Sequence, residues 1–317
     1  MELKIIDTPE STSEPLPALG GTELMMQWLE SRIEPDLLSK FQIIPTRVRK
    51  LDDTKKKILW IHDLSGDPEC THLQYEKSRE RFDKIVFCSH WQMQQFIAHY
   101  NLPLDNKITV LENAVEPFPI HDKPKDVIRL VYFTTPHRGL QLLYPVFENL
   151  ATLHDNIELD VFSSFKIYGR PESDEPFKEV FDKLKAHPKI NYHGTVSNAE
   201  IREHLKKSHI LAYPSIWPET SCIQLIEAMC AGLLCVHPNF AALPDTAGGM
   251  TAMYDFNQDP NIHANRFRNV LHDVITNFNA APLQDMIKFG TTYANVRYNW
   301  NRRALEWKAL LKTMLET

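Results

Sequence analysis

No run of about 18 apolar residues occurs in the 317-residue chain, so no membrane-spanning helix is expected. Cysteine is sparse. The chain has five, with no C-x-x-C pair, which argues against a disulfide framework or a zinc ribbon and suggests buried thiols in a reducing compartment. The expected location is therefore cytoplasmic, with peripheral attachment to a membrane left open. Charge of one sign is not in large excess: a formal net charge of −6 gives no global attraction to nucleic acid, and that partner would need a local basic patch. No G-x-G-x-x-G follows an early strand, which disfavours a dinucleotide dehydrogenase. No Asp-x-Asp pair stands at a strand end, no repeat or low-complexity tract is present, and the chain opens on strand-like Met1 to Ile6 with no signal-peptide pattern.

What is present is an ordinary globular composition, 43% hydrophobic and 24% charged, at a length that suits two α/β domains. Strand-like segments Phe41 to Pro45, Lys57 to Ile61, Lys84 to Ser89 and Lys107 to Glu112 alternate with predicted helices. These helices run from Thr22, which can cap its own, to Ile33, from His72 to Phe82, and from His90 to Tyr100. Such alternation implies a parallel sheet. Pro117 to Asp126, rich in proline and mixed charge, reads as a linker. The alternation then resumes with strands Val127 to Thr134 and Ile157 to Ser163, helices Pro176 to His187 and Ala199 to Ser208, and a helix from about Asn261 to Phe278. Leu243 to Gly249 reads as a loop, and the tail from Tyr298 has apolar positions at helical spacing.

The densest signal is Ile210 to Pro238, ILAYPSIWPETSCIQLIEAMCAGLLCVHP. Apolar Ile210 to Tyr213 reads as a buried strand, Pro214 to Pro218 breaks it, and Thr220 or Ser221 can cap a helix that Gly232 stops. Strand, loop, helix and strand in that order put the loop at the carboxyl edge of a parallel sheet, where ligands bind. The free amides and positive end of the helix suit a phosphate. Glu219 and Glu227 flank this anion site, separated by roughly 12 Å at most at a rise of about 1.5 Å per residue. Two acceptor-only carboxylates at that span suit the hydroxyl-rich ends of a nucleotide diphosphate sugar. Glu227 falls inside the apolar series Ile223, Leu225, Ile226, Ala228 and Met229, so simple solvation explains it poorly.

Glu219-TSCIQLI-Glu227-AMCAG-LLCV resembles the signature of the retaining nucleotide-sugar glycosyltransferases of family 4, which have the GT-B fold. The resemblance implies an α/β fold class, two Rossmann-like domains facing across a cleft. Residues 1–118 would form the acceptor-side domain and 119–295 the nucleotide-sugar domain, with a helix in 296–317 crossing back onto the first. It assigns Glu219 to the transferred sugar, Glu227 to the ribose hydroxyls, and Thr220 with Ser221 to the diphosphate. Gly20, Gly21 and Thr22 match the family's Gly-Gly loop beside the donor phosphates and sugar. His62 matches the strand-end histidine at the reaction centre, and Asp63 takes an acceptor-side role. Arg138, before Gly139, matches a basic phosphate ligand. The family's earlier basic residue would fall in Tyr132 to Thr134, where none stands, and Lys166 is the substitute, unless it is a solvated loop lysine. Val196 is placed at the nucleobase.

The expected activity is retaining transfer of a hexose from a nucleotide diphosphate sugar to the hydroxyl of a glycan, lipid or other acceptor. No metal and no cofactor are expected; a UDP or GDP sugar is the co-substrate. The leaving diphosphate would be stabilised by helix amides, Thr220, Ser221, Arg138 and Lys166. Two alternatives stay open: an epimerase or hydrolase of nucleotide sugars on the same fold, and a non-catalytic nucleotide-binding protein.

Overall fold

The computed structural model describes residues 20–119 and 121–316. The expected first strand, Met1 to Ile6, lies outside the described residues. Among the described residues two parallel sheets organise the chain, one four-stranded and one six-stranded.

The first sheet has the order β1-β2-β3-β4 and is built from β1 (Phe41–Pro45), β2 (Lys56–Ile61), β3 (Lys84–Phe87) and β4 (Ile108–Val110). Its helices are α1 (Gly21–Glu30), the short α2 (Pro35–Leu38) and α3 (Glu76–Arg79), and α4 (His90–Tyr100). The helix expected over His72 to Phe82 does not form. A 3-10 helix spans Pro68–Gln74, Tyr75 is extended at φ −95° and ψ 127°, and α3 adds a single turn. Within His72 to Phe82 only Leu73 and Phe82 are buried, too far apart in the chain to give one helix a continuous apolar stripe. Nor does Thr22 cap α1. Gly20 occupies the N-cap with extended backbone, and Thr22 lies inside the first turn.

The second sheet has the order β10-β9-β8-β5-β6-β7. Its strands are β5 (Ile128–Phe133), β6 (Ile157–Phe162), β7 (Ile190–Tyr192), β8 (Ile210–Ala212), β9 (Leu234–Pro238) and β10 (Ala252–Tyr254). The helices are α5 (Leu140–Ala151), α6 (Lys178–Ala186), α7 (Asn198–Leu205), α8 (Ile223–Cys230), α9 (Leu243–Ala247), α10 (Pro260–Thr276), α11 (Ala281–Arg297) and α12 (Trp300–Glu316). Strands β5, β8 and β9 are buried along nearly their whole length, as expected of strands covered on both faces. Leu243 to Gly249, expected as a loop, is mostly α9: Pro244 suits a first turn and Gly248 closes it in the left-handed region at φ 57°. α11 has no counterpart in the sequence reading. Its fully buried residues are Gly290 and Ala294, and Leu283, Met286, Ile287 and Tyr293 pack on the main core from the same face at helical spacing.

The final helix leaves the second sheet for the first. Val115 and Asn299 form an isolated bridge, with Val115 N–H donating to Tyr298 O (2.8 Å) and Trp300 N–H to Val115 O (3.2 Å). From there α12 buries Trp300, Ala304, Trp307, Leu311 and Met314 against Leu24, Met25, Ile58, Trp60 and Val86. Trp60 and Trp307 meet edge to face at 4.9 Å. Each fully buried aliphatic side chain here, such as Leu311 or Ile58, is worth roughly 1.5–3 kcal/mol, which holds the helix on its distant partner. Polar ties reinforce the crossing: Arg297 to Glu112 at 2.6 Å and Lys308 to Glu34 at 2.7 Å.

Candidate functional site

In the second sheet the chain runs outward from β5 through β6 to β7, then returns to the other side of β5 as β8 and continues to β9 and β10. The reversal between β5 and β8 is a topological switch point, where the loops after two adjacent strands diverge and leave a crevice. Those two loops carry Arg138 and Glu219. They approach so closely that a Cβ on Gly139, at φ +129°, would sit 2.2 Å from the Pro214 carbonyl oxygen, so only glycine fits there.

Glu219 is 5% exposed and accounts for much of the crevice's polar structure. Arg138 Nη1 donates to both its oxygens, at 2.6 and 2.8 Å, and the Tyr213 hydroxyl donates to Oε1 at 2.5 Å. Burial would lower the Arg138 pKa, but the charge and hydrogen bond of Glu219 together with nearby Tyr213 and Tyr168 outweigh it and raise the guanidinium above its ordinary value. The Tyr213 phenol is pushed up by burial and by Glu219, so it stays a donor.

Glu227, in the middle of α8 and 6% exposed, has a different anchor. Arg202 of α7 donates to it at 3.0 Å, reaches the Glu116 carbonyl at 3.0 Å and stacks on Phe118 with 3.7 Å from guanidinium carbon to ring centre. Burial raises the Glu227 pKa, and Arg202 only partly opposes this. Among the described residues neither acid belongs to a group of three His, Cys, Asp or Glu donors able to hold an ion.

Thr220 joins the two sheets. Its hydroxyl donates to the His62 carbonyl at 2.9 Å, and its own carbonyl accepts from the Ser89 hydroxyl at 2.5 Å. Nearby, Trp91 N–H donates to Asp245 at 3.2 Å. The expected capping of α8 by Thr220 or Ser221 is therefore not what forms. Cys222 is the N-cap, no side chain caps it, and the first-turn amides are left without a side-chain acceptor.

His62 follows β2, its backbone N–H bound to Thr46 Oγ1 at 2.7 Å and its ring against Trp60 at 4.5 Å. Burial drops its pKa to about 3, so the imidazole is neutral at physiological pH. Asp63 is half-buried; burial and the neighbouring Asp67 raise its pKa. Its carbonyl accepts from Gln92 at 2.8 Å. Gly20 and Gly21 face the second sheet's elements, where a Cβ would meet the Tyr168 ring at 2.7 Å and the Ile223 tip at 2.9 Å respectively. These are yielding side-chain ends, unlike the carbonyl opposite Gly139. Ser221 and Thr22 are half-buried, Val196 is half-buried against the main core, and Lys166 is exposed in the 3-10 helix Phe165–Tyr168.

Of the 16 buried side-chain polar atoms without a hydrogen-bond partner among the described residues, half lie along the same edge. They are His62 Nε2 after β2; Thr135 Oγ1, His137 Nδ1 and Arg138 Nε after β5; Ser163 Oγ after β6; Thr195 Oγ1 after β7; and both amide atoms of Gln224 in the first turn of α8. Native proteins pair nearly all buried polar groups, so a row of unpaired ones at the carboxyl ends of successive strands marks where a polar ligand belongs. Sequence reasoning missed Gln224, Tyr213 and Arg202. Gln224 had a legible signal, a lone amide inside an apolar helix; Tyr213 hid in an apolar run, and Arg202 had none.

Solved structures share this architecture at low identity. A glycosyltransferase from Rickettsia africae superposes with a TM-score of 0.69 at 16% identity, covering 98% of this chain and 85% of that one. Sucrose-phosphate synthase from Thermosynechococcus elongatus gives 0.67 at 13%, covering 93% and 79%. HepE of Anabaena, in complex with UDP and glucose, gives 0.61 at 14%, covering 82% and 72%. At such identities the likeness is one of fold, and the fold is GT-B: two parallel-sheet α/β domains. Among curated proteins the sequence finds no match. The model of the family "Glycosyl transferases group 1" matches residues 112–273, just over half of the chain and including both halves of the switch-point crevice; the chain belongs to that family.

Proposed function

We propose that this protein is a retaining glycosyltransferase that moves a hexose from a nucleotide diphosphate sugar to an acceptor hydroxyl, with no metal in the transfer step. One observation carries the reading: the row of unpartnered buried polar atoms from His62 past Arg138 and Ser163 to Gln224, at the carboxyl edges of both sheets. A ligand with hydroxyls at both ends and an anion between would satisfy them. Its diphosphate meets the uncapped start of α8, the Thr220–Ser221 loop and Arg138 Nε, with exposed Lys166 adding charge. Arg138 has five N–H donors, so holding Glu219 through Nη1 does not exhaust it. Glu219, kept as an acceptor by Arg138 and Tyr213, takes hydroxyls of the transferred sugar, and neutral His62 offers Nε2 at the reaction centre. Glu227 accepts from ribose hydroxyls, Val196 lies by the base, Gly20, Gly21 and Thr22 close on the donor, and Asp63 faces the acceptor. Preorganised donors at the leaving diphosphate lower the barrier without a protein nucleophile.

The test is a screen of UDP, GDP and ADP sugars by nucleotide release and calorimetry, with product anomeric configuration read by NMR. One donor should bind, react with retention and bind more weakly to Gln224→Leu. Failure of every sugar nucleotide to bind would overturn the reading. Donor turnover that leaves a free or epimerised sugar and needs no acceptor would move it to a hydrolase or epimerase.

A further inference from the structure

We propose that Asp160, His193 and His204 form a binding site for one divalent transition-metal ion, with Zn2+ the best match, at the β7 edge of the second sheet. Their donor atoms lie within 4.8 Å of one another, the only such group among the described residues. The site stands on three elements: Asp160 is on β6, His193 immediately follows β7 and His204 is on α7.

Two of the three ligands are already oriented. His193 Nε2 is 3.0 Å from Asp160 Oδ1, and its ring stacks on Phe162 at 4.3 Å with an interplanar angle of 7°. Asn191 Nδ2 also donates to Asp160 Oδ1, at 3.1 Å, an outer contact of the kind that fixes a ligating carboxylate. The His204 ring packs edge-on against His193 at 4.7 Å, and neither of its nitrogens has a hydrogen bond among the described residues. Tetrahedral ligands at about 2.0–2.1 Å from an ion lie about 3.4 Å apart, so side-chain rotation of His204 over about an ångström completes the set. Asp160 is buried and both histidines are half-buried, which leaves an entry path. Two imidazoles and one carboxylate suit Zn2+ and its neighbours in the transition series and are a poor match to Mg2+ or Ca2+.

The site is remote from the proposed transfer chemistry. Glu219 follows β8, and β8 is separated from β7 by β5 and β6, about 14 Å at about 4.8 Å per strand. The ion's work would be to fasten α7, a short helix with Leu205 as its only buried residue. α7 also carries Arg202, the anchor of Glu227, so the ion would stiffen the nucleotide end of the crevice from outside.

Tag-free protein, stripped with chelator, should be titrated with Zn2+ by calorimetry and with Co2+ by visible absorption. One equivalent should bind, with a Co2+ ligand-field band and a Zn2+-dependent rise in Tm. Asp160→Asn and His204→Gln should each weaken binding by about tenfold or more and abolish the Tm rise. Wild-type protein that binds neither ion saturably, or His204→Gln that binds as wild type does, would overturn the site. His204 is only half-buried on α7, so its variant stays informative if Asp160→Asn fails to fold. No step depends on sugar transfer, so this inference and the proposed function fail separately.

Discussion

Glu219 and Glu227 lie on either side of the start of α8 and are almost equally buried, at 5% and 6% exposure, yet the fold treats them differently. Glu219 receives three hydrogen bonds, two from Arg138 and one from Tyr213, all from residues beside the switch point. Glu227 receives one, from an arginine whose other contacts tie the end of the first sheet's chain segment to the second. A carboxylate held on both oxygens is fixed in place; one held at a single oxygen, with burial raising its pKa, is less constrained. The same residue type in one motif is thus a rigid anchor at one end and more loosely held at the other.

The comparison can be broken most strongly at the anchor. Glu219→Gln keeps the shape but removes the charge, and turnover at saturating donor should fall by about 100- to 1,000-fold while nucleotide affinity changes little. Rates and calorimetry on the same preparation check this, and turnover close to wild type would refute a sugar-contacting role.

The second break is at the support of Glu227. Arg202→Met leaves Glu227 buried without a partner and should cost about 3 kcal/mol in urea unfolding at pH 8. Glu227 has a raised folded-state pKa, so its charged form is the costly one, and that cost grows as pH rises above its unfolded value. The loss should therefore shrink at pH 5, where the carboxyl accepts a proton. A loss of equal size at both pH values would show that Arg202 acts through packing on Phe118 alone.

The last test reads a slope against pH and sharpens the contrast between charged and neutral buried groups. His62 and His237 are neutral in the fold, with pKa values lowered to about 3 and about 4 by burial. The unfolded chain takes up their protons first, so stability should fall as pH drops from about 6.5 toward 4, by up to about 1.4 kcal/mol per pH unit for each. Glu227 opposes this trend, since its raised pKa favours the folded state as pH falls. His237 holds the Pro238 carbonyl and the Thr251 hydroxyl at 2.9 and 2.8 Å, and His237→Gln should flatten the slope of urea midpoint against pH.

The strands were legible because burial on both faces writes continuous apolar runs, as in Ile210 to Tyr213 and Leu234 to Pro238. α4 and α12 were legible through periodicity. α11 was missed although Leu283, Met286, Ile287, Gly290, Tyr293 and Ala294 stand at helical spacing, because the small residues Gly290 and Ala294 interrupt the run of large apolar side chains, and the broken segment after Pro68 was not legible. Of the candidate site, the two acids could be read from local spacing, and Arg138 with Gly139 only through the family resemblance. The partners of those acids could not: Arg138 and Tyr213 converge on Glu219, and Arg202 reaches Glu227, only through strand order.

By itself the sequence determined two parallel α/β units, the loop and helix start that face a crevice, and a tail helix with one apolar face. These are local consequences of side-chain period and of backbone groups left unpaired at a helix end. Tertiary structure alone decided which arginine neutralises which acid, that Thr220 ties one sheet to the other, and that Asp160, His193 and His204 meet. Each of these depends on strands distant in the chain lying side by side, and no local pattern encodes that adjacency.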